Sequence, residues 1–174
     1  MTPSRGAPNV LVTGTPGTGK TTTCELICQA TGLRHINIGD LVKEQELHSG
    51  WDEEFDCFVI DEDKVCDSLE ATMAAGGNVV DYHGCDFFPE RWFDLVIVLQ
   101  TDNTVLWNRL EKRNYKMNKI QENVECEIMQ MIVEEARESY QPGIVQVLPS
   151  NTVEDMESNV DRTVAWLAAW RAGQ

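Results

Sequence analysis

Three groups of residues in this chain have the types and spacing to handle a polyphosphate. The densest is Gly14-Thr15-Pro16-Gly17-Thr18-Gly19-Lys20-Thr21, which fits G-x-x-x-x-G-K-[ST] at every fixed position. A triphosphate is held by backbone N–H groups turned inward, so the chain must curl tightly with no Cβ in the way. Gly14, Gly17 and Gly19 permit that curl. Lys20 adds a full positive charge within reach of the β- and γ-oxygens, and the Thr21 hydroxyl is placed to ligate Mg²⁺. The second group is Asp81 with His83 two residues on. An acid at the C-terminal end of a strand faces the ligand crevice of an open α/β sheet and commonly holds Mg²⁺ through water; the alternative is a turn aspartate. His83 can bond a phosphate or the attacking water, or cap a turn. The third group lies in 111–119, which holds four of the fourteen basic residues of an acidic chain: Lys112, Arg113, Lys116 and Lys119. The favoured reading is a short cationic cover that closes over the triphosphate. Arg91 can clamp an acceptor phosphate as a planar fork, or pair with a surface acid.

These groups need a scaffold that brings them together, and the flanking pattern supplies one. Asn9 to Thr13 is a short apolar run suited to a buried strand, and Thr22 to Cys28 opens a helical pattern, the context a phosphate loop requires. Further strands are expected at 34–38, 78–81, 94–99 and 144–148. The run at 94–99 is almost wholly apolar and so belongs inside the sheet. Helices are expected at 39–47, 61–75 (ended by Gly76-Gly77), from Thr101 through Leu110, as one long element at 120–140, and from a Thr152/Asp155 capping box to the C-terminal region. The stretch 48–59, acidic and aromatic with Trp51, Phe55 and Phe58, reads as a loop or flap. Five strands alternating with helices imply an α/β fold: a single-domain P-loop NTPase with a doubly wound, five-stranded parallel sheet flanked by helices. For the loop after the first strand and the acid ending the third to meet one Mg²⁺, those two strands must be neighbours.

Composition narrows the function class. A net charge of −15 argues against a nucleic-acid groove, which needs a cationic surface. Between Asp40 and Glu70 twelve acids face two bases, a net −10; this is either a solvated face with helix-start carboxylates or a surface for a basic partner. No stretch approaches the roughly 20 apolar residues of a membrane span, and no apolar segment precedes the first strand. Six scattered cysteines without a Cys-x-x-Cys read as buried reduced thiols rather than metal ligands or disulfides, which points to a reducing compartment.

The phosphate loop, Asn37-Ile38-Gly39-Asp40-Leu41 and the block Asp81-Tyr82-His83-Gly84-Cys85-Asp86-Phe87-Phe88-Pro89-Glu90-Arg91-Trp92 together resemble the adenylate kinase isoenzyme 6 family, nuclear and cytoplasmic adenylate kinase/ATPases. The similarity runs from about Pro8 to Trp170. The resemblance implies an acceptor-nucleotide region at about 37–60, a short lid at about 112–122, and Mg²⁺-dependent phosphoryl transfer from ATP to AMP with ATPase activity beside it. It further implies that Gly17, Thr18, Gly19, Lys20, Thr21, Thr22 and Arg113 bind ATP, and that Lys20, Asp81 and His83 are catalytic, the last two as an Asp-x-His pair. Thr21 and Asp81 would serve Mg²⁺, and Gly39, Asp40, Lys43 and Arg91 would face the acceptor. It also implies work in late maturation of the small ribosomal subunit, through a basic ribosomal protein that would suit the acidic 40–70 segment. Two departures count against brisk AMP turnover: Lys43 stands where ordinary adenylate kinases place an arginine, and the helix after the lid has only Arg137. Fewer cationic groups on the transferring phosphoryl weaken transition-state stabilisation, so hydrolysis or nucleotide-switched binding gains weight. A small-metabolite kinase of similar fold would instead be indifferent to AMP.

Overall fold

The computed structural model describes residues 5–54 and 57–174. Phe55, expected in an aromatic flap, and the lead-in at 1–4 lie outside the described residues.

In chain order the elements are β1 (Asn9–Thr13), α1 (Lys20–Thr31), β2 (Arg34–Asn37), α2 (Ile38–Glu44), β3 (His48–Asp52), β4 (Cys57–Ile60), α3 (Glu62–Ala75) and β5 (Asn78–Asp81). Then follow β6 (Leu95–Gln100), α4 (Asn103–Lys112), α5 (Met117–Ile128), α6 (Met131–Ser139), β7 (Val145–Pro149) and α7 (Val153–Ala172). Five strands form a parallel sheet in the order β2-β5-β1-β6-β7. Strand β1 therefore pairs with β5, with Val12 opposite Asp81, and β5 pairs with β2, with Asp81 opposite Asn37. The adjacency demanded by a shared Mg²⁺ is present.

Strand alternation divides the sheet residues between two helical layers. Leu11, Val80, Val96 and Val98 pack with Val42 of α2, Leu69 and Met73 of α3, Phe88, Trp92 and Val133 of α6. Val10, Val12, Val79, Ile97 and Leu99 turn the other way, onto Cys24 and Ile27 of α1 and Val160 and Leu167 of α7. All five residues of β1 are buried, and so are Leu95 to Leu99 of β6, as an interior parallel strand requires. Two caps act where the sequence pattern puts them: Asp61 accepts from the Lys64 N–H at the start of α3, and Thr152 and Asp155 form the reciprocal box that opens α7.

Two expectations are corrected. The stretch 48–59 is not a loop among its described residues: β3 and β4 pair antiparallel as a separate two-stranded sheet, with the His48 and Phe58 rings stacked at 4.1 Å and Trp51 edge-on to Phe58 at 4.9 Å. Its acidic composition hid the pairing, which rests on this small aromatic cluster and on Phe58 and Ile60 packing against the main core. The long helix expected at 120–140 is two helices, broken at Gln130, whose φ of 53° is left-handed. The three- and four-residue steps through Ile128 and Met131 suggested one continuous stripe, but both side chains are exposed. The buried set shifts phase across the break, from Ile120 and Glu127 to Val133 and Ala136, which lets α6 lie on the sheet while α5 follows the crevice.

Candidate active site

At the C-terminal ends of β1, β5 and β2 the chain encloses a cavity of about 590 Å³, large enough for nucleotides. The phosphate loop forms its floor. Gly17 has φ 95°, and a Cβ there would meet Leu106 Cδ1 at 2.8 Å and Leu110 Cδ2 at 2.9 Å, so buried side chains would have to shift to admit one. Helix α1 begins at Lys20, directly after left-handed Gly19, so its N-terminal N–H groups and partial positive charge are directed at the loop. Lys20 Nζ donates to the carbonyls of Gly14 (2.9 Å) and Thr15 (3.1 Å), folded back across the loop. Burial lowers the Lys20 pKa to about 8, against the raising influence of Asp81.

Asp81 is 4% exposed and gathers three polar partners onto one oxygen. Its Oδ2 accepts from Thr21 Oγ1 (2.8 Å) and Asn37 Nδ2 (3.2 Å), and lies 3.1 Å from His35 Nε2. The hydroxyl of Thr21 and the carboxylate of Asp81 are hard oxygen donors on the cavity floor, a set that fits Mg²⁺. The His83 ring, tilted against Tyr82 at 4.3 Å, opens into the same cavity. The ring remains exposed to solvent at the cavity mouth, and its pKa is lowered by local desolvation first and by the cations Lys20 and Lys119 next. At neutral pH the imidazole is therefore uncharged.

The opposite wall comes from the α4–α5 segment and the hairpin. Arg113, Tyr115 and Lys119, from the turn between α4 and α5 and the first turn of α5, line the cavity with Trp51 and Phe58 of the hairpin. Lys119 Nζ stands 4.2 Å from the centre of the Tyr115 ring. Lys116 Nζ donates to the Glu53 carbonyl (3.3 Å) and Asn118 Nδ2 to that of Glu54 (3.0 Å), so the α4–α5 segment reaches across to the hairpin turn.

Of the residues named from sequence, Gly17, Gly19, Lys20, Thr21, Gly39, Lys43, Asp81, His83 and Arg113 share this cavity. Four do not line it. Thr18 serves the loop itself: its hydroxyl donates to the Thr15 carbonyl, and its own carbonyl accepts from Ser150 Oγ at 2.6 Å. Thr22 is exposed on the first turn of α1, and Asp40 lies in the first turn of α2, its N–H donating to Asn37 Oδ1. Arg91 is placed elsewhere by an ion pair with Glu70 at 2.7 Å, where α3 passes the turn at 90–92. Its reading as an acceptor clamp is corrected to the surface salt bridge.

Sequence reasoning missed several groups. His35 and Asn37 both reach Asp81 from β2; their same-side spacing opposite an acid-ending strand was the available signal. Arg109 donates to the carbonyls of Gly17, Ser150 and Asn151 (3.2, 3.0 and 3.1 Å), tying the phosphate loop to the loop after β7. Glu127 is a buried carboxylate beside that loop, its pKa raised by burial against a hydrogen bond from Thr15. A helical pattern could mark neither as inward-facing, because both are polar.

Two expectations arise here. Phosphates gain from Lys20 only when it is protonated, and the empty site loses that proton above pH about 8. ATP affinity should be constant below that pH and loosen above it, by about tenfold at pH 9 relative to pH 7. Titration calorimetry at both values checks this, and equal affinities would contradict it. For His83→Gly, turnover should fall at least about tenfold while nucleotide Kd stays within about threefold, because a neutral ring acts on proton position rather than on charge pairing. A large loss of affinity would make His83 a binding residue instead.

Comparison with known proteins agrees with this geometry. Residues 10–130 match the family model described as AAA domain. The chain is 56% identical to an adenylate kinase isoenzyme 6 homolog of Dictyostelium discoideum, covering 98% of this chain and 97% of that protein. It is 52% identical to the homolog of Schizosaccharomyces pombe, covering 96% and 95%. Among solved structures, shikimate kinase of Acinetobacter baumannii superposes with a TM-score of 0.64 at 14% identity, covering 94% of each chain. Shikimate kinase of Bacteroides thetaiotaomicron gives 0.62 at 16%, covering 92% and 98%. The structural likeness is one of fold. On its P-loop cavity and its close full-length relatives, the chain belongs to the adenylate kinase isoenzyme 6 family of P-loop kinases.

Proposed function

We propose that this protein transfers the γ-phosphoryl group of ATP to AMP, with slower transfer to water. The observation that carries the reading is the convergence of Lys20, Thr21 and Asp81 on the floor of a cavity whose far wall holds cations and aromatic rings. ATP would lie along the loop with its β- and γ-oxygens replacing the two carbonyls that Lys20 now contacts. Thr21 and Asp81 would hold Mg²⁺, which would supply positive charge against the negative charge developing on the phosphates. Lys20 would stabilise charge on the transferring group, and Arg113 would reach it from the lid. The acceptor would sit against Gly39 and Lys43, with its base on Trp51 and Phe58, where aromatic stacking contributes about 1–3 kcal/mol. Neutral His83 can donate its N–H to a phosphate oxygen of the acceptor, or accept a hydrogen bond from a water that replaces it. An assay of AMP, GMP, CMP and UMP with ATP and Mg²⁺ tests the reading. AMP should give ADP well above the hydrolysis background; background-level products with all four would defeat it.

A second reading has its own observation. Glu62, Asp63, Asp67 and Glu70 are exposed along α3, and the exposed hairpin-turn residues Glu53 and Glu54 take the lid contacts through their carbonyls. We infer an ATP-switched assembly factor in small-subunit maturation, nuclear and cytoplasmic, whose acidic face takes a basic ribosomal protein while the lid reports the nucleotide. Capture of such a protein should differ between the ATP and ADP states, and absence of binding in both would remove this role.

A further inference from the structure

Two groups that phosphoryl transfer does not use lie beside Asp81. Cys24, in the second turn of α1, is fully buried under the sheet, and His35 on β2 turns its Nε2 to 3.1 Å from Asp81 Oδ2. The thiol sulfur, an imidazole nitrogen and a carboxylate oxygen all lie within 4.8 Å of one another. They come from three elements. The pairing of β2 with β5 fixes two of them, and the packing of α1 on the sheet fixes the third.

We propose that Cys24, His35 and Asp81 form a second metal site, one that takes a thiophilic divalent ion such as Zn²⁺ and, when filled, withdraws Asp81 from Mg²⁺. Sulfur, imidazole and carboxylate are the donors of zinc sites, at about 2.3, 2.0 and 2.0 Å from the ion, with three protein ligands leaving a fourth position open. The edges of such a tetrahedron are about 3.3–3.6 Å, so the present cluster closes on an ion by shifts of about 1 Å, within the reach of side-chain rotation. Mg²⁺ has no use for a thiol and demands oxygen donors, so it stays with Thr21 and Asp81. The two ions thus compete for one carboxylate from different sets of partners. On binding, the sulfur–metal bond forms as the thiol proton leaves to solvent, while neutral imidazole and ionised carboxylate contribute electron pairs without losing a proton.

Metal capture itself is independent of the kinase reading; only the loss of turnover rests on it. The test uses Co²⁺ as an optical stand-in, added to the full chain without nucleotide. Wild type should show a thiolate-to-cobalt charge-transfer band with tetrahedral visible bands, Zn²⁺ should bleach both, and Mg²⁺ should not. Cys24→Ser should lose the band while keeping the basal phosphoryl-transfer rate. Cys57→Ser, at an exposed thiol, should keep it. His35→Gln should weaken cobalt binding at least about tenfold, and it serves as the readout if Cys24→Ser does not fold. Zinc should inhibit wild type at concentrations at least about tenfold below those needed for Cys24→Ser. No band in wild type, or a band that survives Cys24→Ser, overturns the site. A zinc-bleachable band with turnover indifferent to zinc overturns the switch.

Discussion

Lys20→Ala should lower ATP turnover by at least about 10³-fold while leaving the protein folded and no less heat-stable. In the proposed ATP pose the lysine supplies the charge at the β/γ position, and removing one preorganised stabilising group from a water-poor site commonly costs 10²–10³ or more in rate. Stability should not suffer, because burial already disfavours the charged amine, lowering its pKa to about 8. The sign follows from that shift. A group whose folded pKa lies below its unfolded value opposes folding at low pH, and the opposition fades as pH rises through about 8 toward the unfolded value. Alanine removes the opposition, so the Tm at pH 7 should be equal to or above that of the parent. Retained turnover would mean that the phosphate site has been misplaced.

Asp81→Asn is the second large effect. The amide keeps the shape, and its oxygen can still accept from Thr21, so packing between β1 and β2 survives. What is lost is the negative charge that would hold Mg²⁺ in the proposed site. We expect kcat/KM with Mg·ATP to fall at least about 10²-fold, with the concentration of Mg²⁺ needed for half-maximal rate raised. Circular dichroism should be unchanged. A variant that keeps its rate at unchanged Mg²⁺ demand would assign the metal to other groups.

Much of this site was legible because short segments determine it. The phosphate loop carries its conformation in its glycines, and Asp81 is announced by an apolar run that stops on an acid. Likewise β6 showed itself as an interior strand by being apolar throughout. The parts that were not legible depend on pairing at a distance. The hairpin of β3 and β4 is held by the His48, Trp51 and Phe58 rings across strands, which no local pattern displays. The break at Gln130 is decided by where α6 must lie on the sheet, and a helical period alone ran straight through it. Arg91 looked like a phosphate clamp from its place after the Asp81 block; only the approach of α3 showed that Glu70 holds it. Arg109 and Glu127 were hidden because a buried polar side chain looks like a surface one until its partners are known.

The most direct measurement of the central claim follows the γ-phosphoryl group itself. ATP labelled on its γ-phosphate should, with Mg²⁺ and AMP, deliver label into the β-position of newly formed ADP, and that transfer should vanish in Lys20→Ala. If all the label emerges as inorganic phosphate at a rate that AMP does not change, the cavity does not serve a nucleotide acceptor and the account is contradicted.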